Sequence, residues 1–309
     1  MDKASKLPTN LLEAIRYFSD LDVCTQFVAR LRWPDGPVCP RCGSTEHSYL
    51  STRRLWKCKA CKRQFSVKVG SIFEDSPLGL DKWLAGMWLI VNSKNGVSSH
   101  EVARSLGISQ KSGWFLLHRI RLAMQTGSFS KFVGEVEADE TFIGGKARNM
   151  HKSVRQQKIT GTGGKDKAIV AGIMERGGEV RATVVSDTKG ATLQAQVREN
   201  VKPGATVYSD SLLSYTGLGV DFDHATVDHA ERYVEGRVHI NGMENFWALL
   251  KRGLHGTYVS VQPFHLFRYL DERMFTFNER GDDDLGRFMT ALGTVAGRRL
   301  TWAELTGKE

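Results

Sequence analysis

The sequence predicts a multidomain α+β chain whose largest part is an α/β domain on a mixed five-stranded sheet. Three observations carry that expectation. Two Cys-x-x-Cys pairs lie in a short basic stretch near the N-terminus. A strongly helical region follows, over residues 77–127. From Phe132 onward the texture changes to short apolar runs with strand-like alternation, separated by glycine-rich stretches.

At 309 residues the chain exceeds one ordinary domain, so two or three compact units are expected. With 41% hydrophobic and 25% charged residues it has enough apolar side chains to build cores. The longest apolar run, Trp83 to Val91, spans nine residues including a glycine, whereas a membrane helix needs about 20. No membrane partner is expected. The N-terminus lacks a charged-then-apolar secretory pattern, which makes an intracellular protein the expectation.

The net charge of +9 is unevenly spread. Arg30 to Lys68 holds ten Lys/Arg against Asp35 and Glu46, and Lys146 to Lys167 holds seven against Asp166. Clustered positive charge favours a polyanionic partner, nucleic acid first. A merely solubilising surface would intersperse both signs.

Residues 1–34 read as a helical lead-in, with Leu11, Leu12, Ile15, Phe18, Cys24, Phe27, Val28 and Leu31 as its apolar positions. Cys24 has no partner at metal spacing and reads as a small buried hydrophobe. Residues 35–70 contain Cys39-Pro40-Arg41-Cys42, fifteen intervening residues, and Cys58-Lys59-Ala60-Cys61. This is the spacing of a zinc ribbon, with one structural Zn²⁺ held by four thiolates. So short a segment cannot build its own core, and the metal supplies much of its folding energy. Trp33, Tyr49, Trp56 and Phe65 read as packing around it.

Within 77–127, Ser98-Ser99-His100-Glu101 is a capping-box signature that opens a helix through Leu106. Gly107 breaks it and Ser109 caps a second helix running to about Met124. Helix, glycine turn, helix is the helix-turn-helix plan of a DNA-binding region. Gln110, Lys111 and Ser112 then begin the second helix, where base edges are met.

The region 130–280 reads as five strands: Val133–Ile143, Ala168–Met174, Glu179–Val185, Ala205–Tyr208 and Ala225–Val227, with a helix at Ala191–Asn200 before the fourth. Between the first two lies the glycine-rich, basic stretch Gly144–Lys167, expected to be a mobile arm on DNA. Lys146, Arg148, Lys152 and Arg155 are its candidate phosphate contacts. After the fifth strand, Val238 to Arg252 has helical periodicity, with Asn241, Glu244, Ala248 and Lys251 on one stripe. A further helix is expected from Pro263 to about Arg280, and 281–309 is left as a C-terminal tail.

That element order is the order of an RNase H-like catalytic domain. Asp139 on the first strand, Asp210 at the end of the fourth and Glu244 on a later helix fall where that fold carries its acids. Three carboxylates suit two Mg²⁺ or Mn²⁺ ions for phosphodiester chemistry. Glu137 shares a strand face with Asp139, Glu140 points away, and Glu137 reads as solvated or ion-paired. His224, His229, His239 and His255 lack ligand spacing and read as ordinary polar contacts.

The order zinc ribbon, helix-turn-helix, Asp-Glu-Thr-Phe-Ile-Gly-Gly-Lys, Tyr-Ser-Asp and His-Ile-Asn-Gly-Met-Glu-Asn-Phe-Trp-Ala-Leu-Leu-Lys-Arg resembles the DDE transposases of bacterial insertion sequences with an N-terminal zinc ribbon, the ISXO-like type. The similarity runs from about residue 17 to residue 280. It implies metal-dependent DNA cleavage followed by strand transfer at the element's ends. It also implies Asp139 and Asp210 as metal ligands, Glu244 as the third acid, and Lys251, beside Arg252, as the basic residue that steadies DNA. The implied partner is double-stranded DNA, at terminal inverted repeats and at a target, engaged by a homodimer or higher oligomer in the bacterial nucleoid. Related members place an asparagine in the third role, and Asn241 occupies that position. Asn241 and Glu244 also have the spacing of a capping box, and Glu244 as ligand with Asn241 as N-cap is the favoured assignment. The alternatives are an inactive DNA-binding regulator and a two-metal nuclease on the same fold.

Overall fold

Helices and a small ribbon form one compact unit of the computed structural model, and a five-stranded sheet with its helices forms the other. The first unit takes Met1–Thr126 and Glu279–Glu309, and the second takes Gly127–Asn278. The structure describes residues 6–125, 127, 130–145, 151–158, 167–227 and 238–307.

The first unit opens with α1 (Leu11–Tyr17) and α2 (Leu21–Arg32), capped by the side chains of Asn10 and Asp20. A three-stranded antiparallel ribbon follows: β1 (His47–Leu50), β2 (Leu55–Cys58) and β3 (Gln64–Phe65). The apolar run seen in the sequence becomes α3 (Leu80–Val91), with Trp83, Leu84, Met87, Trp88, Ile90 and Val91 all buried. A helix apolar on nearly every side belongs in the centre of a unit, and α3 is that centre.

Next come α4 (Ser99–Leu106) and α5 (Gln110–Ala123). Ser98 Oγ accepts from the Glu101 N–H at 3.1 Å, and Ser109 Oγ from the Ser112 N–H at 3.1 Å. Gly107 between them is left-handed at φ +60, a conformation glycine adopts without a Cβ clash. The two helices touch closely: a Cβ on Gly113 of α5 would lie 2.9 Å from the Ser99 carbonyl oxygen.

The second unit runs β4 (Glu135–Ile143), α6 (Lys152–Lys158), β5 (Ala168–Glu175), β6 (Val180–Val185), α7 (Gly190–Asn200), β7 (Thr206–Asp210), β8 (Asp223–Val227), α8 (Asn241–Gly253) and α9 (Leu266–Asn278). The sheet order is β6-β5-β4-β7-β8. The β6-β5-β4 pairs are antiparallel and the β4-β7-β8 pairs parallel. Alternation sorts the central strand. Val136 and Ala138 pack with Leu193 and Val197 of α7. On the opposite face Val170 and Met174 of β5 pack with Met243, Phe246, Trp247 and Leu250 of α8 and with Leu266, Tyr269 and Leu270 of α9. With helices on both faces, β4 is buried from Val136 to Asp139 and again at Thr141.

The chain then returns to the first unit with α10 (Asp284–Gly293) and α11 (Trp302–Thr306). The stretch read as a tail is therefore folded. Phe288 of α10 packs 5.1 Å from Trp88 and 5.6 Å from Phe18, ring centre to ring centre. The buried guanidinium of Arg119 on α5 donates to the carbonyls of Leu300 and Ile72, at 2.9 and 2.8 Å. No helix among the described residues is long and apolar enough to cross a membrane.

Candidate functional site

The ribbon brings Cys39, Cys42, Cys58 and Cys61 together with all four Sγ atoms within 4.8 Å of one another. The Cys39–Cys61 and Cys42–Cys58 sulfurs are 3.7 and 3.6 Å apart. A disulfide would need about 2.05 Å. A tetrahedron with Zn–S bonds of about 2.3 Å has its sulfurs about 3.8 Å apart, so the cluster fits Zn²⁺. Each pair is wound the same way, since the residue after its second cysteine is left-handed: Gly43 at φ +73 and Lys62 at φ +61. The backbone N–H of Cys61 points at Cys58 Sγ and lowers that thiol to about 6, toward the thiolate a metal binds. Trp56 sits among Trp33, Tyr49 and Phe65 with ring centres 5.1–6.0 Å away, so these aromatics pack the ribbon.

A second polar centre lies in the sheet. In the parallel pairing Ala138 is opposite Ser209, so Asp139 and Asp210 stand one residue further along two adjacent strands. Asp139 is 9% exposed. Burial first, then the charges of Glu140 and Asp210, push its carboxyl up to about 7, against a hydrogen bond from the Trp247 indole. That indole donates to Asp139 Oδ2 at 2.9 Å. Glu140 faces the other way and accepts from the Tyr215 hydroxyl at 2.9 Å. Its own pKa is raised by burial, with Tyr215 opposing and Asp210 reinforcing. Asp210 ends β7 and accepts the Leu212 N–H through Oδ1 at 3.0 Å.

On α8 the stripe of Asn241, Glu244 and Ala248 is exposed and Lys251 half-buried, with Arg252 exposed beside it. Glu244 lies three residues before Trp247, about 60° round the helix at 3.6 residues per turn. It therefore flanks the side chain that meets Asp139. Among the described residues the four cysteines alone form a group of three or more ligand types close enough to share one ion. Asp139, Asp210 and Glu244 do not converge to that degree.

One expectation is corrected here. Asn241 is not the N-cap of α8 but its first helical residue; Ile240 holds the cap position and offers no side-chain hydrogen bond. The acceptor comes instead from the sheet, where Glu137 Oε2 takes the Met243 N–H at 2.9 Å. Sequence reasoning found Glu137 on the face of Asp139 and missed this bond. It also missed Arg176, which donates to Glu137 Oε1 at 2.9 Å, and the Trp247 indole on Asp139.

The residues expected at base edges have other partners as well. Gln110 donates to Ser99 Oγ at 2.8 Å, Ser112 Oγ lies 2.9 Å from Ser109 Oγ, and the Lys111 ammonium sits 4.6 Å above the Trp302 ring. In the basic stretch, Lys152 and Arg155 are exposed on α6. Lys146 and Arg148 lie outside the described residues, as does His229.

Comparison with known proteins settles the family. Residues 131–278 match the family described as the ISXO2-like transposase domain, and residues 20–64 match the transposase zinc-ribbon domain. A transposase-like protein of Haemophilus influenzae is 37% identical over 101 residues, covering 32% of this chain and 81% of that protein. The chain belongs to the ISXO2-like transposases. A protein in the transposable element ISH50 of Halobacterium salinarum is also similar, 26% identical over 240 residues, which is 74% of this chain and 81% of the relative. The two transposase matches fall on separate parts of the fold: the sheet unit carries one, and α2 with the ribbon carries the other. Membership implies that the protein binds DNA, and the ribbon match together with the cysteine cluster supports a structural Zn²⁺.

Proposed function

We propose that the protein is a DDE-type transposase that cleaves DNA at the ends of its element and joins those ends to a target. The reading treats the sheet unit as an RNase H-like catalytic domain. Its β6-β5-β4-β7-β8 order, antiparallel then parallel, is what that fold calls for. The observation that carries the proposal is Asp139 beside Asp210 on adjacent strands, with the Asp139 carboxyl pushed up to about 7. Burial, then the charges of Glu140 and Asp210, raise Asp139; a bound cation would relieve that strain, and carboxylate oxygens suit Mg²⁺ or Mn²⁺. Asp139 and Asp210 would hold the ions, with Glu244 or Asn241 of α8 as the third ligand. A pair of such ions supplies an activated oxygen nucleophile and stabilises the leaving oxygen. Lys251 and Arg252, one and two residues past the buried Leu250, stand ready to hold the DNA backbone beside the acids.

DNA binding is assigned to the first unit, with α4 and α5 as a helix-turn-helix and Gln110, Lys111 and Ser112 at its reading end. Gln110 and Ser112 already hold hydrogen bonds and Lys111 lies over the Trp302 ring, so base contact there would exchange existing partners. The arm that includes Lys152 and Arg155 adds phosphate contacts. The active species is proposed to be a dimer or larger assembly on DNA.

The test is a cleavage-and-joining assay on duplex DNA carrying the element's end, with Mg²⁺ or with chelator. Cleavage that needs Mg²⁺ and vanishes in Asp139→Asn and Asp210→Asn is expected. The loose spacing of the three acids favours a second reading, an inactive DNA-binding regulator. Binding without cleavage would establish that reading, and cleavage without joining would make the protein a nuclease.

A further inference from the structure

We propose that Glu137 is a positioning residue for the carboxylate site. From β4 it caps the N-terminus of α8 and, with the Trp247–Asp139 hydrogen bond, fixes the register of that helix along the strand carrying Asp139. The inference rests on the reading of Asp139 as a metal ligand and of α8 as the bearer of the third.

Both bonds run from α8 to the same face of β4. Their donors, the Met243 N–H and the Trp247 indole N–H, belong to residues four apart on the helix, about 6 Å along its axis. Their acceptors, Glu137 and Asp139, are two apart on the strand, about 6.6 Å. A helix anchored at both points cannot slide by one residue without losing both.

Glu137 is 1% exposed, and a buried carboxylate needs compensation. It has it on both oxygens. Oε1 accepts from Arg176 Nε at 2.9 Å and lies 3.4 Å from His239 Nδ1, while Oε2 takes the Met243 N–H. The same guanidinium donates to the His239 carbonyl at 2.6 Å, so the chain entering α8 and the helix's first turn are strapped to one point. The helix N-terminus contributes partial positive charge toward the carboxylate.

The backbone is cleared for this contact at both anchors. A Cβ on Gly242 would lie 2.7 Å from Glu137 Oε2 and 2.8 Å from Met174 Sδ. Gly172, opposite Asp139 in the β4–β5 register, would put a Cβ 2.3 Å from Met243 Cε and 2.6 Å from the Trp247 ring. Helix and strand thus meet where glycine lets them. The indole engages Oδ2 of Asp139, and Glu244 is carried on the same fixed helix.

The experiment uses the full chain with Glu137→Met, Glu137→Gln, Trp247→Phe and Gly242→Ala. Two readouts are taken below the melting transition: amide hydrogen exchange at Met243, and the Mg²⁺ concentration giving half-maximal single-turnover cleavage. Glu137→Met should speed Met243 exchange at least tenfold and raise the Mg²⁺ requirement about 10- to 100-fold, the usual cost of losing an outer-shell partner, with the KM for DNA unchanged. Glu137→Gln keeps an acceptor for the Met243 N–H but turns its NH2 toward the Arg176 donor, so Met243 protection should return to a greater degree than the Mg²⁺ requirement. Should Glu137→Met fail to fold, Gly242→Ala must raise the Mg²⁺ requirement with Glu137 intact, and Trp247→Phe must do so from the other anchor. Folded variants with a lower melting temperature but wild-type Mg²⁺ requirement would reduce Glu137 to a structural ion pair and overturn the proposal. Wild-type protein without Mg²⁺-dependent cleavage would instead sink the assignment of function; Met243 exchange would still decide whether Glu137 caps α8.

Discussion

The ribbon and the sheet each gather acidic or thiol ligands, yet they do so in opposite ways. Four sulfurs stand within 4.8 Å of one another, at the spacing a tetrahedral zinc requires. The carboxylates are instead held by protein donors: Asp139 by the Trp247 indole and Asp210 by the Leu212 N–H. A structural site gains from closing on its ion; on the proposed reading the sheet site is catalytic and must keep positions open for a substrate. The difference is also one of charge. The Cys61 N–H draws Cys58 down to about 6, while burial and like charges drive Asp139 up to about 7. The cysteine cluster holds its protons unevenly, with Cys42 raised to about 11 as Cys58 is lowered, whereas burial strains Asp139 toward protonation.

The strongest way to break this contrast is to remove a sulfur. Cys58→Ser should release zinc and unfold the ribbon, since structural zinc supplies apparent free energies of about 10–16 kcal/mol in small zinc modules. Limited proteolysis should find 35–70 cleaved and the 127–278 unit intact. Retained zinc, read by metal analysis, would refute the four-sulfur site.

The carboxylate side of the contrast predicts a stability that depends on pH in the metal-free protein. Asp139 has a folded pKa of about 7 against an ordinary value of 3.8, so the folded state binds the extra proton between those limits. Its contribution is fully present below about pH 4 and is lost as pH rises through 7, at about 1.4 kcal/mol per pH unit. Asp139→Asn should therefore stabilise the chelator-treated protein by a few kcal/mol at pH 8 and by almost nothing at pH 4. Urea unfolding at the two pH values measures the difference. Equal effects at both would show that Asp139 is not under electrostatic strain.

A smaller effect concerns packing under the site. Gly172→Ala places a methyl against Met243 and Trp247 and should cost about 1–3 kcal/mol, as overpacked positions do. The smallest sits in the ribbon. Lys62 is left-handed where the first knuckle has Gly43, so Lys62→Gly should slow zinc release slightly, by roughly 0.5–1 kcal/mol. A faster release would mean that the two knuckles are not equivalent.

Sequence made some of this legible and hid the rest, for reasons of distance along the chain. The cysteines are read easily because two short turns hold all four. The strands of the sheet and the caps Ser98 and Ser109 are local signals, and they appear where expected. The bonds that seat α8 are not local: Met243 reaches Glu137 across 106 residues, and Trp247 reaches Asp139 across 108. With nothing to reveal that sheet-borne acceptor, Asn241 looked like the cap. The C-terminal segment was opaque for the same reason. Its apolar stripe, Phe288, Ala291 and Leu292, is short, and its partners on α3 and α5 lie far back in the chain.

The most direct measurement of the central claim is a metal count on one protein. Wild-type protein on element-end DNA should carry one zinc that survives dialysis and bind two Mn²⁺ ions by electron paramagnetic resonance titration. Asp139→Asn and Asp210→Asn should each lose the Mn²⁺ and keep the zinc. Mn²⁺ binding unchanged by either substitution would contradict the assignment of the sheet carboxylates as the catalytic metal site.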